Sequence, residues 1–97
     1  MRGSRSLLSP EDLDRRAAQL QNWKVAGRKK LVRSYTFPDF KTALDFVNRV
    51  GAVAEKQGHH PDIHLTWGRV EIETWTHDSG GITEQDYLLE SGIDQLS

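Results

Sequence analysis

A chain of 97 residues has room for one domain with a modest core. Its net charge of −1 argues against a nucleic-acid or membrane surface, and the absence of cysteine excludes disulfides and thiolate metal sites. No apolar run approaches a membrane span and no signal-peptide core opens the sequence, so the cytoplasm is the expected location. Apolar residues make up 36%, a lean share for a globular domain. Burial of surface between subunits would help offset the ordering entropy of so lean a chain, so homo-oligomerisation is expected.

In chain order, residues 1–8 read as a flexible extension and residues 9–97 as a single domain. Ser9-Pro10-Glu11-Asp12 is a helix start: serine caps, proline suits the first turn, and two acids favour the positive end of the helix dipole. Leu13, Ala17 and Leu20 recur at helical spacing, and the helix is expected to fade near Asn22. Trp23–Ala26 and Leu31–Phe37 read as strands about a turn at Gly27-Arg28. In the second strand Leu31, Tyr35 and Phe37 share a face, and Arg33 breaks that pattern.

Pro38-Asp39 opens the main helix, from about Phe40 to Lys56, with Gly58 as its stop. Phe40, Ala43, Leu44, Val47, Gly51 and Ala54 form an apolar stripe, which Phe46, Val50 and Val53 widen. A stripe of that breadth suits a helix covering a sheet, and Gly51 would allow close approach of another backbone. Ile63–Trp67 and Val70–Trp75 form a hairpin pattern around Gly68-Arg69, where a leading glycine suits a type II′ turn. That register sets Trp67 opposite Val70 and places Ile63, Leu65, Trp67, Val70 and Ile72 on one apolar face. Thr83, with Asp86 three residues on, starts a last helix as a capping box, and Leu89, Ile93 and Leu96 form its inner stripe. The order helix-strand-strand-helix-strand-strand-helix predicts an α+β sandwich with helices on one face of an antiparallel sheet.

Glu55-Lys56-Gln57-Gly58-His59-His60-Pro61-Asp62 joins the main helix to this hairpin. Adjacent histidines on a strand point to opposite faces, whereas on a proline-restrained turn both can face one cleft. The plain alternative is a polar loop pair without a task. His60 and His64 are four apart, but Pro61 blocks the helix that would align them on a metal, so no metal site is expected. His77 ends the next strand, before Asp78-Ser79-Gly80-Gly81. If both histidine turns lie at one end of the sheet, three imidazoles converge, and imidazoles supply proton donors and acceptors near neutral pH. Asp86 lies on the inner side of the last helix, where a carboxylate can orient a histidine as well as cap. Glu55, at the helix end, either pairs with a cation or serves the histidine turn.

Glu55-Lys56-x-x-His59-His60-Pro61, an aromatic at Trp67, and Thr76-His77-x-x-Gly80-Gly81-Ile82-Thr83-x-x-Asp86 together resemble the signature of pterin-4a-carbinolamine dehydratases, also known as dimerisation cofactors of a homeodomain transcription factor. The resemblance extends from about Leu13 to the C-terminus. It implies a four-stranded antiparallel sheet with helices on one face, and a homodimer or a homotetramer made of two dimers. It implies loss of water from a 4a-hydroxytetrahydropterin to give a quinonoid dihydropterin, as in tetrahydrobiopterin recycling after aromatic amino-acid hydroxylases, with no metal or organic cofactor. By resemblance His59, His60 and His77 are the catalytic histidines and Asp86 the supporting acid, while Pro61 shapes the turn. Pro61, Glu55, Thr76 and Trp23 take positions expected to bind substrate. The second function class is a non-catalytic dimerisation cofactor that stabilises a transcription factor.

Overall fold

A computed structural model describes residues 7–18, 22–27 and 29–96. Its elements follow the expected order: α1 (Pro10–Ala17), β1 (Lys24–Ala26), β2 (Lys30–Thr36), α2 (Phe40–Gln57), β3 (Asp62–Thr66), β4 (Arg69–Thr74) and α3 (Glu84–Asp94). Each helix opens on a residue that accepts an otherwise unpartnered backbone N–H. Ser9 takes that of Asp12, Asp39 that of Thr42, and Thr83 that of Gln85. The Asp39 carboxyl sits below its ordinary range because of its hydrogen bonding with Thr42.

α1 stops at Ala17 rather than near Asn22. Leu13 is its one large buried residue among those described, which leaves little apolar contact to sustain further turns. Leu20 and the Ala17 side chain, both expected on its stripe, lie outside the described set, as does Arg28 of the expected turn. Residues 1–6 of the expected extension also lie outside it. Leu8 donates its backbone N–H to the Ile82 carbonyl at 3.2 Å and rests on the core.

The four strands form one antiparallel sheet in the order β1-β2-β4-β3. Leu31, Tyr35, Val70, Ile72 and Thr74 are buried on its covered face, and Ile63 and Leu65 of edge strand β3 are half-buried there. Arg33 shares that face because it is paired. Its guanidinium lies 4.1 Å from the centre of the Tyr35 ring and donates to Asp94 Oδ1 at 3.0 Å.

The hairpin register differs from expectation by two residues. Thr66 pairs with Arg69 and Leu65 with Val70, so the loop is Trp67-Gly68. A shift of two preserves facing, so Ile63, Leu65, Val70 and Ile72 stay on the covered side. Trp67 does not: it stands in the turn, 68% exposed. Gly68 is required by close approach and not by a positive φ. The Phe37 N–H donates to its carbonyl at 2.8 Å, and a Cβ at residue 68 would lie 2.8 Å from the Phe37 carbonyl oxygen.

On α2 the buried line is Ala43, Phe46, Val50 and Ala54. Phe40 and Leu44, expected in the stripe, are exposed on its flank, with Val47 half-buried between. Nothing lies within 4 Å of a Cβ built on Gly51, so no backbone approaches there within the subunit. The close approach is on α3, where a Cβ on Gly92 would come 3.0 Å from Val53 Cγ1. α2 ends on Gly58, left-handed at φ +69, whose N–H bonds back to the Ala54 carbonyl. That left-handed residue turns the chain out of the helix and presents His59 and His60.

Candidate active site

His59, His60 and Pro61 from the turn after α2, and Thr76, His77 and Asp78 from the loop after β4, line one cleft of about 320 Å³. Asp62 and Trp75 complete its wall. β3 and β4 are antiparallel neighbours, so the start of one and the end of the other meet at the same sheet end. The 77–80 turn is closed by Gly80, left-handed at φ +75, and by a bridge in which Thr76 N–H donates to the Gly81 carbonyl at 2.8 Å.

Asp86, in the first turn of α3, is wholly buried and gathers donors on both carboxylate oxygens. Oδ1 accepts the Thr74 hydroxyl at 2.7 Å and lies 2.7 Å from His59 Nε2. Oδ2 accepts the Thr76 hydroxyl at 2.8 Å and the Thr83 N–H at 2.9 Å. Thr76 Oγ1 also lies 2.7 Å from Thr83 Oγ1. Since the Thr76 proton is directed at Asp86, the Thr83 hydroxyl donates to Thr76 and accepts the Gln85 N–H at 3.2 Å. This chain of donors aims at a single carboxylate, the arrangement that a buried charge requires. Asp86 thus serves both as the helix-capping acid and as the partner of His59. Thr83 is the capping residue that spacing marked, and Thr74 is the participant that residue spacing did not single out. The inward parity of Thr74 beside Ile72 was the available signal.

His60 makes a separate pair. Its Nε2 lies 2.6 Å from Glu55 Oε2, and both side chains are largely exposed. His77 is exposed, and its ring meets that of Trp75 edge-on with centroids 4.2 Å apart. Trp23 is not brought to the cleft: it is buried in the core, where its indole N–H donates to Asp94 Oδ1 at 2.8 Å. Trp67 stands in the β3–β4 turn, at the opposite end of the hairpin from the histidines.

Two further groups lie apart from the cleft. Glu90, half-buried on α3, has its carboxyl pushed up to about 8, chiefly by burial and then by a hydrogen bond shared with Asp94. On the open sheet face, His64, Glu71 and Glu73 bring one ligand atom each within 4.8 Å of one another. Lys30 Nζ already pairs with Glu73 at 3.2 Å, and Arg69 lies 3.9 Å from Glu71.

The family profile described as pterin 4 alpha carbinolamine dehydratase matches residues 6–96. A Rubrobacter xylanophilus protein provisionally named a pterin-4-alpha-carbinolamine dehydratase is 49% identical over 92% of this chain and 83% of its own. A similarly named protein of Chlorobium limicola is 45% identical over 87% of this chain and 77% of its own. Among solved structures, a transcriptional coactivator/pterin dehydratase from Brucella melitensis superposes with a TM-score of 0.84 at 30% identity, covering 92% of this chain and 96% of that one. A pterin dehydratase-like RuBisCO assembly factor of the alpha-carboxysome shares the fold, with a TM-score of 0.65 at 22% identity over 78% of this chain and 89% of that one. With its whole described domain matched, the chain belongs to the pterin 4 alpha carbinolamine dehydratase family.

Proposed function

We propose that the protein dehydrates a 4a-hydroxytetrahydropterin to a quinonoid dihydropterin by histidine acid–base catalysis, supporting tetrahydrobiopterin recycling. The observation that carries this proposal is the meeting of His59, His60 and His77 along one cleft, with His59 anchored on buried Asp86. The family's activity supports the substrate class. The reaction removes the proton on nitrogen 5 and releases the hydroxyl on carbon 4a as water. Asp86 already accepts on both oxygens, so it takes the His59 Nε2–H, and a neutral His59 keeps Nδ1 as the acceptor. His59 accordingly takes the nitrogen-5 proton, while protonated His77 delivers a proton to the departing hydroxide. His60, steadied by Glu55, and Pro61 hold the substrate. Each transfer is worth about 10²–10⁴-fold in rate. No metal or organic cofactor enters these steps; the reduced pterin is the substrate.

The test is a coupled aromatic amino-acid hydroxylase assay that follows decay of the carbinolamine. Wild-type protein is expected to speed that decay, and His59→Ala or His77→Ala to remove nearly all of the effect. Equal decay with and without wild-type protein would overturn the proposal.

Self-association is part of the same reading. Phe40 and Leu44 on the flank of α2, with Trp67 and Leu88, leave apolar surface uncovered, which suits a homodimer or homotetramer. A protein-binding role as a transcriptional coactivator is the second reading, favoured by the same surface and by the description of the Brucella melitensis structure. Co-purification of a specific transcription factor would support it. No helix among the described residues is long and apolar enough to cross a membrane, and a cytoplasmic site of action fits the substrate's source.

A further inference from the structure

Asp62 and Trp75 belong to the cleft but take no part in the proton transfers. Their arrangement is specific. The Trp75 indole N–H points at Asp62 Oδ2 across 3.4 Å, while the ring meets His77 edge-on at 4.2 Å. Lys30 Nζ lies 5.5 Å from the centre of the Trp75 ring and is paired with Glu73, the β4 residue opposite Asp62. One indole therefore touches both an exposed carboxylate and a histidine along one wall.

A carboxylate holds about four acceptor positions, and one long bond from an indole leaves most of them open. A planar pair of parallel N–H donors is the group that such a carboxylate takes best, as the bidentate geometry of guanidinium–carboxylate pairs shows. The pyrimidine edge of a pterin, with its 2-amino group beside N3–H, presents that pair. Resting on the dehydratase reading, we propose that Asp62 recognises the 2-amino, N3–H edge of the substrate and that Trp75 is the positioning residue that aims it. With that edge on Asp62, the reacting carbon and nitrogen lie toward the histidines at the other side of the bicyclic ring. Selection against ring systems with a 2-oxo group follows, because an acceptor would then face a carboxylate.

The test is calorimetric binding of 7,8-dihydropterin and of its 2-oxo analogue, 7,8-dihydrolumazine, to the full chain. Wild-type protein is expected to favour dihydropterin at least about tenfold, the effect of one charge-assisted hydrogen-bond pair. Asp62→Asn should weaken dihydropterin by a similar factor, leave dihydrolumazine nearly unchanged, and raise KM in the decay assay with little change in kcat. Trp75→Phe, which keeps the ring and removes the N–H, should give a smaller loss of the same selectivity. Unchanged dihydropterin affinity in Asp62→Asn, or a selective loss in Asp78→Asn instead, would overturn the assignment while wild-type turnover leaves the dehydratase reading standing. Wild-type protein that neither binds dihydropterin nor speeds decay would remove both.

Discussion

His59 Nε2 lies 2.7 Å from Asp86 Oδ1, joining the turn after α2 to the first turn of α3 through a carboxylate with no exposure to solvent. The two residues are far apart in sequence, and only the packing of α3 beside α2 and β4 brings them together. The same carboxylate caps its helix through Thr83, so the geometry of the site and the start of α3 depend on one group.

Asp86→Asn is therefore expected to lower kcat in the decay assay by about 10²–10⁴-fold, since an amide does not stabilise a protonated His59 as a carboxylate does. Asp86→Ala should also destabilise the fold by roughly 3 kcal/mol, because the Thr74 and Thr76 hydroxyls and the Thr83 N–H lose their acceptor. Urea denaturation measures the second effect independently of the first. A fully stable Asp86→Ala protein would contradict the buried network.

Thr74→Val keeps the side-chain shape and removes one donor to Asp86 Oδ1. A loss of about 1–2 kcal/mol in stability is expected. Thr74→Ser should recover most of it, and the contrast between the two variants separates hydrogen bonding from packing.

Glu90 gives the pH dependence of stability a sign. Its folded-state pKa, about 8, lies above the ordinary value of 4.5. The folded state holds the proton more tightly, so this contribution is fully present below pH 4.5 and is lost as pH rises through about 8. Glu90 is only half-buried, so solvent screening limits the effect to about 1 kcal/mol. Urea midpoints measured across that range should fall with rising pH in the wild type and fall less in Glu90→Gln.

Gly58 and Gly68 call for different penalties. A Cβ on Gly58 meets nothing within 4 Å, so Gly58→Ala suffers only from the left-handed backbone at φ +69, about 1–2 kcal/mol. Because that residue aims the His59-His60 turn, activity should fall with stability. Gly68→Ala instead drives a Cβ to 2.8 Å from the Phe37 carbonyl oxygen and is expected to distort the hairpin tip while sparing the cleft. Thermal melts and decay rates of the two variants distinguish these outcomes.

Chelation is expected to leave the decay rate unchanged, because His64, Glu71 and Glu73 stand outside the cleft residues and the proposed steps use imidazoles alone. A rate that collapses on chelation and returns with zinc would contradict the acid–base reading.

Much of this protein is legible in its sequence because local rules decide it. Ser9, Asp39 and Thr83 cap the helices, Gly58 stops the longest, and period-two apolar patterns fix which strand residues face inward. The paired histidines, His77 and Asp86 also stand out as a set. What sequence could not decide depends on contacts between distant segments. The hairpin turns at Trp67-Gly68, where the Phe37 backbone lies against Gly68 and Trp67 stands exposed. Asp94 drew Trp23 into the core and let Arg33 sit on the apolar face. Spacing marks which side of an element is buried; which partner a polar group meets there is decided by tertiary packing, because a buried polar group must find its partner wherever the fold supplies one.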